Sequence, residues 1–448
     1  MKRFDTYLRP LSLSLIMLLC FCGRESRSPT DRFSAQQLQE DFGRLQTQIT
    51  SRHAGYFTNR GALARAFDRQ AALLKDSMTL IEFYRLIAPV LAQTKCGHTR
   101  LSLPESAERR LAEKGNFLPL EIRVLDDSLF ILKSYVETPF IAPGSAVLSI
   151  NGEPADEIIN RLKQRLPADG DNETYKYYTM NNDFAALYLL FIDDPLEFAV
   201  SYLAPGAEQE NTMRLPAKSG KTIRQFAVEH DLVDENPPLI THSFSPDGRY
   251  AVLRIRFFDF YDNLDDFVQA IDDFFAELSA RKTEALILDL RGNDGGDPYS
   301  SAYLLTYLIG KPYRYFAERS AYSYEDLKGL QHIPDNPFNG ELYVLVDGGC
   351  YSTTGHFCSL LKYHQVGVFI GEETGGSYAC NGGYRDVCLE HTGICFLLPH
   401  TTFITEVHGL TRGRGIMPDY AVQPSIFDIL NGVDPVLEKA KSLINEAE

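Results

Sequence analysis

The sequence predicts an α/β protein in which a strand-and-helix layer follows a helical N-terminal region and a small β-rich module. Three observations carry that prediction. From Tyr250 onward, buried strand patterns alternate with amphipathic helix patterns. Residues 31–112 repeat apolar side chains at helical spacing, and short strand patterns broken by turn signals lie between the two regions. Strands alternating with helices imply a mixed sheet flanked by helices and rich in parallel pairs, where chemistry gathers at the strands' carboxyl ends. The expected divisions are 1–30, 31–112, 113–220 and 235–448.

The first division reads as an export signal and tether. Lys2, Arg3 and Arg9 precede an apolar run from Leu11 to Gly23, too short to span a bilayer, and a polar stretch follows. Cys20 or Cys22 at the end of that run resembles the processing site of bacterial lipoproteins, where the Cys is acylated. The resemblance implies an exported protein, periplasmic or anchored to the membrane of a bacterial envelope through an N-terminal lipid; a plain cleaved signal is the simpler alternative. Six Cys then remain, at 96, 350, 358, 380, 388 and 395. An oxidising compartment permits disulfides, and Cys380, Cys388 and Cys395 are candidates whose pairing the sequence leaves open.

In the second division Ser34 with Gln37 forms a capping-box pattern ahead of Leu38, Phe42, Leu45 and Ile49. Thr79 with Glu82 repeats it, and that helix is expected to stop at Cys96-Gly97, leaving His98 in a tight turn. In the third, strand patterns at 118–124, 129–132 and 146–150 run into Asn151-Gly152, a tight-turn signal, and a short helix follows Pro154. Residues 196–202 read as a closing strand. The run Ile141 to Ala155 resembles the central signature of PDZ domains found inside proteases, which implies capture of an extended peptide at a strand edge.

With 448 residues and a net charge of −16, the chain lacks the basic surface that a nucleic-acid binder needs. Its 44% hydrophobic and 23% charged content is that of a globular protein rather than a disordered or multi-span membrane chain. No metal site is expected, since the ten His form no His-Glu-x-x-His and the late Cys lack Cys-x-x-Cys spacing. No cofactor is expected either.

Two loops at strand carboxyl ends hold the candidate chemistry. Asp289-Leu-Arg-Gly-Asn-Asp-Gly-Gly296 can turn N–H groups outward, as an oxyanion pocket requires, but does not follow the phosphate-loop or dinucleotide patterns. Asp347-Gly-Gly-Cys-Tyr-Ser-Thr-Thr-Gly-His356 places Ser352 at a strand-to-helix junction, where it is either a nucleophile or a helix N-cap.

Together with Val368-Phe-Ile-Gly-Glu-Glu-Thr-Gly-Gly376 and Gly413-Arg-Gly-Ile-Met-Pro-Asp419, these loops resemble the carboxy-terminal processing (tail-specific) protease family. The resemblance implies a serine endopeptidase acting on polypeptides, with Ser352 as nucleophile and the Thr353 N–H plus Gly295 or Gly296 as oxyanion donors. The Lys used by part of the family is missing from Gly371–Gly383. Cys96-Gly-His-Thr-Arg100 is instead similar to the motif of the His-using, tricorn-core-like branch, which implies His98 as base. For the carboxylate that orients the base, Glu406 is the nearest candidate. His356, one turn beyond Ser352, and Cys350 are the lesser alternatives for base and nucleophile, and Lys362 reads as a surface residue. The rival reading is a catalytically inactive envelope lipoprotein that binds a peptide or apolar ligand on the same fold.

Overall fold

The computed structural model describes residues 26–138, 140–230, 232 and 237–446, so Cys20 and Cys22 lie outside the described residues. Its catalytic-type layer is a six-stranded sheet in the order Ile240–Phe244, Tyr250–Ile255, Ala285–Asp289, Glu341–Val346, Val368–Gly371 and Tyr420–Ala421. The first strand is antiparallel to its neighbour and the others pair in parallel. Ala285–Asp289 is buried along its whole length because both faces are covered. Leu286 and Leu288 face the helices Leu264–Arg281, Pro298–Ile309 and Thr353–Tyr363, while Ala285 and Ile287 face Val436, Ala440 and Ile444 of the helix Pro435–Glu446. That split follows from the period of two along a strand.

The module before it is an antiparallel sheet ordered Leu120–Leu125, Ser128–Ser134, Ala146–Ile150, Glu197–Leu203 and Glu210–Pro216. Asn151 and Gly152 both have positive φ, 52° and 79°, and fold Glu153–Pro154 back onto Ala146–Ile150 as the turn signal required. The strand expected to close the sheet is internal, and Glu210–Pro216 forms the edge beyond it. Residues 170–217 also hold two helical segments within Thr174–Phe191, separated by a kink at Asp183 (φ −131°, ψ 23°) and packed on Leu120–Leu125. The kink breaks the helical register, so no single one-sided stripe runs through the segment in the sequence.

Both expected capping boxes form, at Ser34–Gln37 and Thr79–Glu82. The second helix, Leu80–Ala92, ends a few residues before Cys96. The N-terminal helices and the antiparallel module share one apolar core with the hairpin Ala379–Cys388 and Cys395–Ile404. Cys388 and Cys395 face each other across that hairpin and form a disulfide, whereas Cys380 is a buried free thiol, as are Cys96, Cys350 and Cys358. Leu101–Ser102 adds to the hairpin as a third strand, which carries the preceding turn, with His98, over to the loops of the parallel sheet. Among the described residues, no helix is long and apolar enough to cross a membrane.

Candidate active site

The loops after Ala285–Asp289 and Glu341–Val346 meet side by side. Asn293 joins them: its carbonyl accepts from the Tyr351 N–H at 3.1 Å, and its Oδ1 accepts from the Thr354 hydroxyl at 2.8 Å. Their approach demands glycine. A Cβ on Gly295 would lie 2.8 Å from the Ser352 Cβ and 2.9 Å from the Thr353 nitrogen, and φ there is +103°. Across the same junction the Thr353 hydroxyl donates to the Gly296 carbonyl at 2.6 Å.

Ser352 precedes the helix Thr353–Tyr363 but makes no capping bond to it. Its backbone sits at φ 52° and ψ −121°, a costly conformation for a residue with a Cβ and one that turns the side chain out of the capping position. The hydroxyl instead lies 3.1 Å from His98 Nε2. His98 is half-buried between the rings of Tyr351 and Tyr384, with centroid separations of 4.8 and 6.0 Å.

The other imidazole nitrogen does not meet Glu406. His98 Nδ1 lies 2.9 Å from the Tyr351 hydroxyl, which donates to Asp169 Oδ1 at 3.1 Å. Asp169 is 2% exposed and also accepts from the Gly97 N–H at 2.8 Å. The expectation for Glu406 is therefore corrected: its carboxylate faces His408 at 3.7 Å, while its backbone N–H bonds to the Tyr315 carbonyl. Sequence reasoning missed both Tyr351 and Asp169. An aromatic residue in a loop otherwise built from small ones was the available signal for Tyr351; none pointed to Asp169.

Burial first, then the charges of Arg100 and His356, pushes His98 down to about 3. Burial pushes Asp169 the other way, up to about 7, although its bonds from Gly97 and Tyr351 favour the carboxylate. Arg100 spans the floor of the site, bonding to the Gly97 carbonyl at 2.8 Å and to the Tyr175 hydroxyl, and lying 3.6 Å from Asp294. Cys96, His98 and Asp169 bring potential metal-ligand atoms within 4.8 Å of one another, but the Tyr351 hydroxyl bridges two of the three.

The remaining candidates separate clearly. The Gly295 N–H is already bonded to Asn293 Oδ1 at 3.0 Å, so it is not open to a developing oxyanion. Among the described residues the Thr353 and Gly296 N–H groups carry no such bond. His356 is 2% exposed, packed edge-on against Tyr315 and Phe316, and neither ring nitrogen has a hydrogen-bond partner among the described residues. The Cys350 thiol is buried against the Leu290 carbonyl, and burial holds it well above the ordinary thiol range. Lys362, expected to be solvated, pairs with Asp419 at 2.6 Å.

No curated protein matches the sequence. The crystal structure of mature CPAF is similar over 92% of this chain and 98% of its own, with 14% identity and a TM-score of 0.66. The structure of mature CPAF complexed with lactacystin gives a TM-score of 0.65 at 14% identity, over 92% of this chain and 99% of its own. At that identity the likeness speaks for the fold. Residues 249–422 match the family model of Peptidase family S41, which covers both glycine loops, Ser352 and the Gly-Ile-x-Pro-Asp ending. Over those residues the chain is similar to the carboxy-terminal processing proteases, which supports a serine-type peptidase.

Proposed function

We propose that the chain hydrolyses polypeptide substrates through Ser352 as nucleophile and His98 as general base. The observation that carries this reading is the uncapped Ser352 hydroxyl, 3.1 Å from His98 Nε2. Asp169, when ionised, can only accept hydrogen bonds, so the Tyr351 hydroxyl donates to it and its oxygen is left to accept from His98 Nδ1–H. That fixes the tautomer with an unprotonated Nε2 toward Ser352, the form a general base requires. As Ser352 Oγ bonds to the substrate carbonyl carbon, its proton passes to Nε2 and the oxyanion meets the Thr353 and Gly296 N–H groups. Collapse expels the amine with that proton and leaves an acyl-enzyme, which water then hydrolyses with His98 as base again.

Asp169 and Tyr351 act here as positioning residues. When Asp169 takes up a proton it can donate to Tyr351, which then donates to Nδ1 and reverses the tautomer. The acid limb of activity therefore belongs to Asp169 rather than to His98. The antiparallel module, through its PDZ-like run, is the proposed point of capture for an extended chain. Export, with a lipid on Cys20 or Cys22, places the reaction at a bacterial envelope. The test is hydrolysis of unfolded casein by the wild type, Ser352→Ala and His98→Ala. Both variants should be inactive while remaining folded. Activity retained by Ser352→Ala overturns the nucleophile, and an inert wild type favours the ligand-binding reading.

A further inference from the structure

Along the helix Leu80–Ala92, from Glu82 to its C-cap Gln93, lies a cleft of about 750 Å³. Its size is that of an organic-ligand site. Arg32, Arg69, Lys75, Arg85 and Arg165 line it, in a chain whose net charge is −16. Among the described residues none of these five cations makes an ion pair within 4.0 Å.

The two lining carboxylates are already engaged by backbone. Asp76 accepts from the Ala35 N–H at 2.9 Å, and Glu82 accepts from the Thr79 N–H at 2.6 Å in its capping box. On the floor, Arg85 donates to the Leu189 and Leu190 carbonyls, and Arg165 donates to the Arg161 carbonyl while its buried Nε has no partner among the described residues. Burial, then the charges of Arg161 and Arg85, weakens the hold of Arg165 on its proton; Asp193 and Asp194 partly offset the same effect at Arg85. Crowded guanidinium groups with an orphaned N–H are costly unless an anion enters among them. Leu86, Pro89 and Met78 add an apolar wall.

We infer that this cleft binds a phosphate group carried on an organic body. Guanidinium forks match phosphate oxygens pairwise, and the apolar wall takes the attached carbon skeleton. The source is a soluble organophosphate or an anionic phospholipid headgroup. The second is within reach of the proposed anchor, since the ten residues from Cys22 to Arg32 extend at most about 35 Å.

The experiment uses the full chain with two probes, glycerol 3-phosphate followed by calorimetry, and vesicles of phosphatidylglycerol with phosphatidylcholine compared with phosphatidylcholine alone. The comparison protein carries Arg69→Ala and Lys75→Ala, both exposed on the rim and outside the catalytic loops. Saturable binding of glycerol 3-phosphate, weakened about tenfold or more in the double variant, assigns a soluble ligand. A preference for phosphatidylglycerol vesicles that the double variant loses, without binding of the free ester, assigns a headgroup. Absence of saturable binding to either probe, or equal binding by both proteins, overturns the inference. Casein hydrolysis measured in parallel keeps this result separate from the fate of the Ser352 assignment.

Discussion

Two strand–loop–helix units lie side by side in the parallel sheet, and their helix starts differ. At Pro298–Ile309 the buried Asp297 caps the helix by accepting from the Tyr299 and Ser300 N–H groups at 3.1 and 3.2 Å. At Thr353–Tyr363 the residue in the same position is Ser352, which makes no capping bond and sits at positive φ. The first helix start satisfies two of its own amides with the Asp297 carboxyl group. The second leaves the Thr353 N–H open and directs its polar side chain across the junction to His98. One local motif therefore serves stability when its side chain turns inward and chemistry when it turns outward.

The sharpest break of that contrast is Ser352→Ala. It should lower casein hydrolysis about a million-fold while leaving the unfolding midpoint in place, because no cap is lost. A marked fall in stability would mean that Ser352 is a structural cap after all. Next, Gly295→Ala forces a Cβ between the two loops, where the Ser352 Cβ is 2.8 Å away. Displacing the nucleophile by even about 1 Å should cost about a hundred-fold in kcat/KM, read from initial rates.

Asp169→Asn tests the link behind the base. Wild-type activity should fall as pH drops through about 7, where Asp169 gains its proton, although His98 stays neutral down to about 3. The variant should be about tenfold slower at neutral pH, as is typical when an outer partner of a functional His is altered, and its acid limb should move to lower pH. An unshifted pH profile would remove Asp169 from the mechanism. The smallest effect belongs to the conventional cap: Asp297→Ala should cost about 1 kcal/mol of stability, measured by denaturant unfolding, with activity little changed.

Much of the layer was legible because its signals are local. Asp289 to Gly296 and Asp347 to His356 are contiguous runs whose glycines and small residues have a direct geometric reason, and Thr79 with Glu82 marks a helix start by itself. What lay behind His98 was not legible. Asp169 stands 182 residues before Tyr351 and touches it only because the fold brings their loops together. Proximity in sequence to the Gly-Ile-x-Pro-Asp ending favoured Glu406 for the same task, yet that segment turns the side chain toward His408. The stretch Thr174–Phe191 escaped for a different reason: a kink at Asp183 divides it, so no single helical period runs through it.

The packing at Gly97 carries one more consequence. A Cβ there would lie 2.5 Å from the Tyr351 hydroxyl, so the turn before His98 is shaped against a ring supplied from far downstream. His98 and Ser352 are separated by 254 residues. During synthesis, a nascent chain that has not yet produced and docked its Tyr351 loop holds the two halves of the proposed pair apart. On that assignment the pair forms only once the Tyr351 loop has docked against Gly97.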